Sequence, residues 1–319
     1  MVALIDANAR GVWIISATPF ADNGDLDLES TDRMVDYYLG CGVDGLTILG
    51  IMGENTRLSQ EESIRFTARV VKRVAGRVPV VVGVSAPGHR LAGDLTRAAM
   101  DLGAGGIMLS PPLGLRTEDQ VIGYYDSFVG EIGQAVPIVL QDYPPASQVW
   151  MSVATINRVI ADHSSIVVFK HEDCPGLRKL TRLRADEAAG LRRRVSVLTA
   201  NGGLYLMQEM RRGADGCMTG FGVPEMLVEV CRLFHAGDVE AAEDLFDAYL
   251  PLVRHEQQPG FGLAVRKELL RRNGVIATAR TRAPGPALDA TDRAELDTLL
   301  ARLARRLAEM GRTLPTAAQ

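Results

Sequence analysis

The sequence predicts an α/β fold, a (β/α)8 TIM barrel with a C-terminal helical extension. Eight short apolar, β-branched runs recur through the first 220 residues, and they are continuous rather than alternating. That is the composition of parallel strands buried on both faces. Stretches of helical periodicity lie between the runs, and the joints are short and marked by Gly or Pro. A chain of 319 residues is long enough for such a barrel and more.

The runs are Val12–Ala17, Gly45–Leu49, Val78–Val84, Gly106–Leu109, Val136–Leu140, Ile166–Phe169, Val195–Leu198 and Gly216–Thr219. The helical stretches are Ser59–Val74, Leu91–Leu102, Glu118–Ile132, Val153–Ala161, Gly176–Ala189 and Leu204–Arg212. The first of them opens Ser59-Gln60-Glu61-Glu62, a capping-box pattern in which Ser and Glu satisfy each other's orphan N–H groups. An open, doubly wound sheet would need a Gly-rich turn after the first strand, and the chain reads Ala17-Thr18-Pro19-Phe20 there.

After Phe221 only helical patterns follow: Pro224–Ala236, Val239–Val253, Leu263–Arg272 and Ala290–Met310, the last after the Pro/Gly-rich joint Arg282–Pro286. The expected division is a barrel over residues 1–223 and a helical region over residues 224–319 packed upon it. The tail Arg312–Gln319 is expected to fray.

A formal net charge of -4 recommends neither nucleic acid nor an anionic membrane as a partner. No apolar run approaches the ~20 residues a membrane span needs. Cys41, Cys174, Cys217 and Cys231 show no zinc-ligand spacing and read as reduced thiols of a cytoplasmic protein. Met1–Arg10 lacks the basic-then-apolar pattern of a secretion signal. No metal is expected.

Reactive groups of such a barrel project from the C-terminal strand ends. The sixth run ends Phe169-Lys170-His171-Glu172, and only four of the 35 basic residues are lysines. A chain that uses arginine for solvated charge has thus placed a lysine in apolar surroundings. Desolvation favours the neutral amine, the nucleophile that imine formation requires; the alternative is a lysine that merely holds a carboxylate. Glu172, two residues on along an extended strand, points to the same side and could move a proton next to an imine, or could pair with an arginine. His171 faces the other way and reads as structural. The second run ends in Gly50-Ile51-Met52-Gly53-Glu54, whose glycines let backbone N–H groups approach a small anion or simply turn the chain. The fifth ends in Gln141-Asp142-Tyr143, a polar cluster or a turn set by Pro144 and Pro145. The Gly-rich joints after the seventh and eighth runs place Asn201, Gly202 and Thr219 at the same rim.

These segments together resemble the dihydrodipicolinate synthase/N-acetylneuraminate lyase family of Schiff-base lyases. Thr18-Pro19-Phe20, Gly50–Glu54, Val136-Pro137 with Pro144, Lys170, Gly213–Gly216 and Leu263–Lys267 carry the resemblance across nearly the whole chain. It implies that Lys170 forms an imine with the ketone of a small 2-oxo acid, that no organic cofactor is needed, and that the chain assembles as a homotetramer or homodimer. The departures bear on substrate. Ile51 and Met52 stand where two hydroxyl residues are usual, Gln141 at the relay tyrosine, Asp142 at an asparagine, Pro112 and Leu113 at an aromatic pair, and Ala146 near a carboxylate-binding arginine. These losses count against synthase and N-acetylneuraminate lyase chemistry. The Gln-Asp pair with Lys-x-Glu is more similar to the family's 2-keto-3-deoxy sugar-acid dehydratases, with a pyruvate-dependent aldolase or a non-catalytic 2-oxo-acid binder as alternatives.

Overall fold

The computed structural model describes residues 3–174 and 176–315. Eight parallel strands close into a barrel in chain order: β1 (Gly11–Ile15), β2 (Gly45–Ile48), β3 (Val80–Gly83), β4 (Gly106–Leu109), β5 (Ile138–Asp142), β6 (Ile166–His171), β7 (Ser196–Thr199) and β8 (Gly216–Cys217). Each falls on one of the eight apolar runs. All but one of their residues are buried, as strands covered on both faces must be.

The helices between them are α1 (Leu28–Gly40), α2 (Gln60–Val74), α3 (His89–Asp101), α4 (Glu118–Ile132), α5 (Pro144–Ser147), α6 (Val153–Asp162), α7 (Leu177–Ala188) and α8 (Leu206–Arg211). The capping box at Ser59 is formed, with Ser59 Oγ accepting from Glu62 N and the Glu62 carboxylate accepting from Ser59 N. Periodicity marked no helix between the first two strands, yet α1 lies there. Its buried stripe of Ser30, Thr31, Met34, Val35 and Tyr38 begins with two hydroxyl residues, so an apolar pattern does not reveal it. Asp27 caps it, accepting from Ser30 N at 2.9 Å.

After β8 come α9 (Pro224–His235), α10 (Val239–Glu256), α11 (Gly262–Arg272) and α12 (Ala290–Glu309). Helix α9 packs on β1 and completes the outer ring of the barrel, so a boundary at residue 223 falls between the last strand and the last ring helix. Of the tail expected to fray, residues 316–319 lie outside the described residues; residues 312–315 carry no regular structure.

Two layers of core follow from the period-2 alternation of each strand. Trp13, Ile15, Val81, Met108, Val139, Val168, Leu198 and Met218 fill the lumen, while Val12, Ile14, Ile138, Leu140 and Phe169 face the helices. The Trp13 indole fits because its register partner is Gly45, where a Cβ would fall 2.2 Å from the ring. The lumen is a packed core up to the level of Val168, and the next inward positions are Gln141 and Lys170.

Candidate active site

Counting on from Val139 and Val168 by twos leads to Gln141, Lys170 and Glu172, and the structure brings these three together. Lys170 Nζ lies 2.8 Å from Glu172 Oε1, and Gln141 Nε2 donates to the same oxygen at 2.5 Å. All three are buried, with Lys170 4% exposed. The amine is in an ion pair, but the pair lies inside the cavity at the strand ends and not behind its wall. The backbone holds Glu172 as well: its N–H donates to Asp142 O at 3.0 Å, and its carbonyl accepts from Asn201 Nδ2 at 3.2 Å.

The cavity itself measures about 80 Å³ and is bordered by Gly50, Ile51 and Met52 from the β2 joint and by Tyr143 from β5. Asn201, Gly202 and Thr219 close the opposite side. Their polar groups are largely spent on the scaffold, since Gly202 N donates to Thr219 Oγ1 at 2.8 Å. Gly202 has φ +65°, a backbone conformation that favours glycine, and a Cβ there would displace the Gln257 side chain, whose Nε2 lies 1.9 Å from that position. Burial raises the Tyr143 phenol above its ordinary value, and the Glu172 carboxylate adds to this, so the phenol keeps its proton.

Two expected residues stand outside the cavity. Asp142 follows inward-facing Gln141 and therefore points outward, where its carboxylate meets Lys179 Nζ at 2.9 Å. Burial pushes it up to about 6, against the pull of Lys179. Asp142 reaches the site through its carbonyl, and its carboxylate does not border the cavity where a substrate-binding side chain was expected. Gly53 does not border the cavity either; its carbonyl accepts from Thr18 Oγ1 at 2.6 Å, and its N–H donates to Gly50 O within the tight turn Ile51–Gly53. His171 faces outward as expected, with Nε2 3.0 Å from Gly176 O, and burial holds it down to about 4, neutral at physiological pH.

Residues not anticipated also border the cavity: Ile15, Met218 and Ala200 on the barrel side, and Gln257 and Arg266 from the C-terminal helices. Strand alternation would have found Ile15 and Met218. Nothing local could have found Gln257 or Arg266.

A wider chamber of about 430 Å³ adjoins the cavity and shares Gly50, Ile51 and Gln141 with it. Its wall is carbon-rich, with Met108, Pro111, Pro112, Leu113 and Ala146, and none of its described lining residues is charged. Among the described residues no group of three His, Cys, Asp or Glu side chains is arranged to hold a metal, and no helix is long and apolar enough to cross a membrane.

Residues 8–303 match the Dihydrodipicolinate synthetase family. The chain is 34% identical over 302 residues to L-2-keto-3-deoxyarabonate dehydratase of Azospirillum brasilense, covering 92% of this chain and 94% of that one. To 4-hydroxy-tetrahydrodipicolinate synthase of Laribacter hongkongensis it is 29% identical, covering 74% and 79%. Among solved structures, a dihydrodipicolinate synthase from Rhodopseudomonas palustris superposes with TM-score 0.92 at 45% identity, over 94% of this chain and 99% of that one. The Escherichia coli prophage protein YagE, solved in complex with pyruvate, superposes with TM-score 0.84 at 25% identity, over 92% and 98%.

Proposed function

The chain belongs to the dihydrodipicolinate synthetase family, and from that membership and the geometry at Lys170 we infer that it is a Schiff-base-forming carbon–oxygen lyase. Its substrate is a 2-oxo acid of the 2-keto-3-deoxy sugar-acid class. The observation that carries the reading is the amine of Lys170 2.8 Å from the Glu172 carboxylate at the mouth of a closed barrel.

Glu172 takes the proton that Lys170 must lose before its amine attacks the ketone carbon C2. Glu172 returns that proton to the carbinolamine hydroxyl, which leaves as water; Glu172 is a carboxylate again, and the protonated imine left behind is an electron sink that acidifies the C3–H bond. Glu172 removes the C3 proton, the electron pair becomes an enamine, and the enamine expels the C4 hydroxyl as water. Tyr143, with its phenol proton held by burial, supplies the proton that the departing hydroxyl needs and recovers one from Glu172. Water then hydrolyses the imine and frees Lys170. Dehydration needs no base at the C4 oxygen, so Gln141 in place of a tyrosine is compatible with it. The dehydratase of Azospirillum brasilense supports this choice.

The synthase reading is less well supported despite the Rhodopseudomonas palustris likeness, because the chamber beside the cavity offers no cation for a second carboxylate among its described lining residues. An aldolase releasing pyruvate is the second reading within this chemistry, favoured by the presence of a phenol at the cavity wall. Free pyruvate formed stoichiometrically from a 2-keto-3-deoxy sugar acid would replace the dehydratase reading by that one.

Borohydride reduction with pyruvate, followed by intact mass and peptide mapping, tests the imine. The adduct is expected on Lys170, absent in Lys170→Ala, and retained in Glu172→Gln with turnover largely lost. An unmodified wild-type mass across a range of 2-oxo acids would leave a non-catalytic binder. Four free cysteines support a reducing, cytoplasmic location. A homodimer or homotetramer is the proposed assembly, checked by sedimentation.

A further inference from the structure

The cavity at Lys170 measures about 80 Å³, space for roughly three waters at about 30 Å³ each. That suits C1 to C3 of a 2-oxo acid and little more, so a longer substrate must extend out of it. Gln141 marks the direction. Its Nε2 donates to Glu172 Oε1 at 2.5 Å, which sets it beside the carboxylate that takes the C3 proton. Gln141 also borders the adjoining chamber of about 430 Å³, together with Gly50 and Ile51. With C3 at Glu172, C4 passes Gln141 into that chamber.

The chamber wall offers carbon and neutral oxygen. Met108, an inward residue of β4, lines it next to the shared joint, since a Cβ on Gly50 would lie 3.4 Å from Met108 Cε. Leu113 on the β4 joint stands 68% exposed, apolar surface that a substrate chain would cover. The hydroxyls are those of Thr56, Ser85, Ser110 and Ser147. Ser85 Oγ accepts from Ser110 N at 2.9 Å, which leaves its own proton to donate. Arg57 follows Thr56 in the chain, but its Nη1 is paired with Glu54 Oε2 at 2.9 Å and does not border the chamber.

A carboxylate or phosphate brought against such a wall loses hydration and meets no opposite charge. A hydroxyl can pair with the serines there, and a methylene gains by leaving water. We propose that the chamber holds the substrate beyond C3 and admits it only uncharged. The substrate is then a 2-oxo monoacid whose far end is hydroxyl or hydrocarbon, and sugar diacids and phosphorylated acids are rejected. This assignment rests on the imine-forming reading of Lys170.

The test compares borohydride trapping of pyruvate, 2-oxohexanoate and 2-oxoadipate on the wild-type protein. The last two match in carbon number and differ in a terminal methyl or carboxylate. Half-maximal trapping of 2-oxohexanoate is expected at a concentration about tenfold or more below that of pyruvate, since each buried methylene contributes roughly fourfold. 2-Oxoadipate should need about tenfold more than 2-oxohexanoate, the loss expected for an unpaired charge. Ala146→Arg adds a cation at an exposed position of the chamber wall and should shrink that gap about tenfold, with thermal melts reporting folding. Three results would each overturn the chamber assignment alone: 2-oxohexanoate trapped no better than pyruvate, the two six-carbon acids trapped equally, or an unchanged gap in folded Ala146→Arg. Wild-type protein that traps none of the three acids would overturn the imine reading and this assignment with it.

Discussion

Replacing Glu209 by Gln should stabilise the protein above neutral pH and leave it little changed in mild acid. Glu209 sits on α8, 4% exposed, and its Oε2 has no hydrogen-bond partner. Burial pushes its carboxyl from 4.5 up to about 7, with only the Thr199 hydroxyl pulling the other way. The folded state therefore keeps a proton that the unfolded chain releases between pH 4.5 and 7. Its contribution is fully present below pH 4.5 and is lost as pH rises through 7. At about 1.4 kcal/mol per pH unit of separation, the loss at pH 8 is about 3 kcal/mol. Glutamine keeps the shape and carries no charge at any pH, so it escapes that penalty. Thermal or urea denaturation of both proteins between pH 5 and pH 8 checks this. The stability difference should grow by roughly 2 to 3 kcal/mol across that range, or a Tm gain of roughly 5 °C at pH 8. Parallel pH profiles would mean that Glu209 stays ionised in the fold, and the reasoning from burial would fail.

Lys267→Met should cost about 3 kcal/mol in urea denaturation, because it leaves Oε1 of the buried Glu54 carboxylate without the Lys267 Nζ that lies 2.5 Å away, while Arg57 and Arg282 N hold only Oε2. Gly202→Ala should lose about 1 to 3 kcal/mol through its positive φ and its clash with Gln257, and should also slow imine trapping, since this loop borders the cavity. Gln141→Leu removes a donor from the Glu172 carboxylate; turnover should fall on the order of tenfold while pyruvate is still trapped, which steady-state kinetics and mass measurement read separately.

Much of this site was legible because strands repeat every two residues. Once Val168 faces the lumen, Lys170 and Glu172 must follow it and His171 must not, and the ion pair and the outward imidazole agree with that rule. The same rule places Gln141 inward and Asp142 outward, although the polar cluster there suggested that both served the cavity. Helix α1 escaped notice for the opposite reason: its buried face opens with Ser30 and Thr31, residues that carry little apolar signal.

By itself the sequence determined the closed barrel, the order of its strands and the rim position of Lys170, because backbone geometry imposes those periods locally. Only the tertiary structure decided that Arg266 and Gln257 reach the same cavity, and that α9 closes the ring. Those approaches depend on how α10 and α11 dock across the β8–β1 seam, with Gly220 leaving room for the guanidinium. No local pattern encodes a contact between segments so far apart along the chain; it arises from the packing of whole elements.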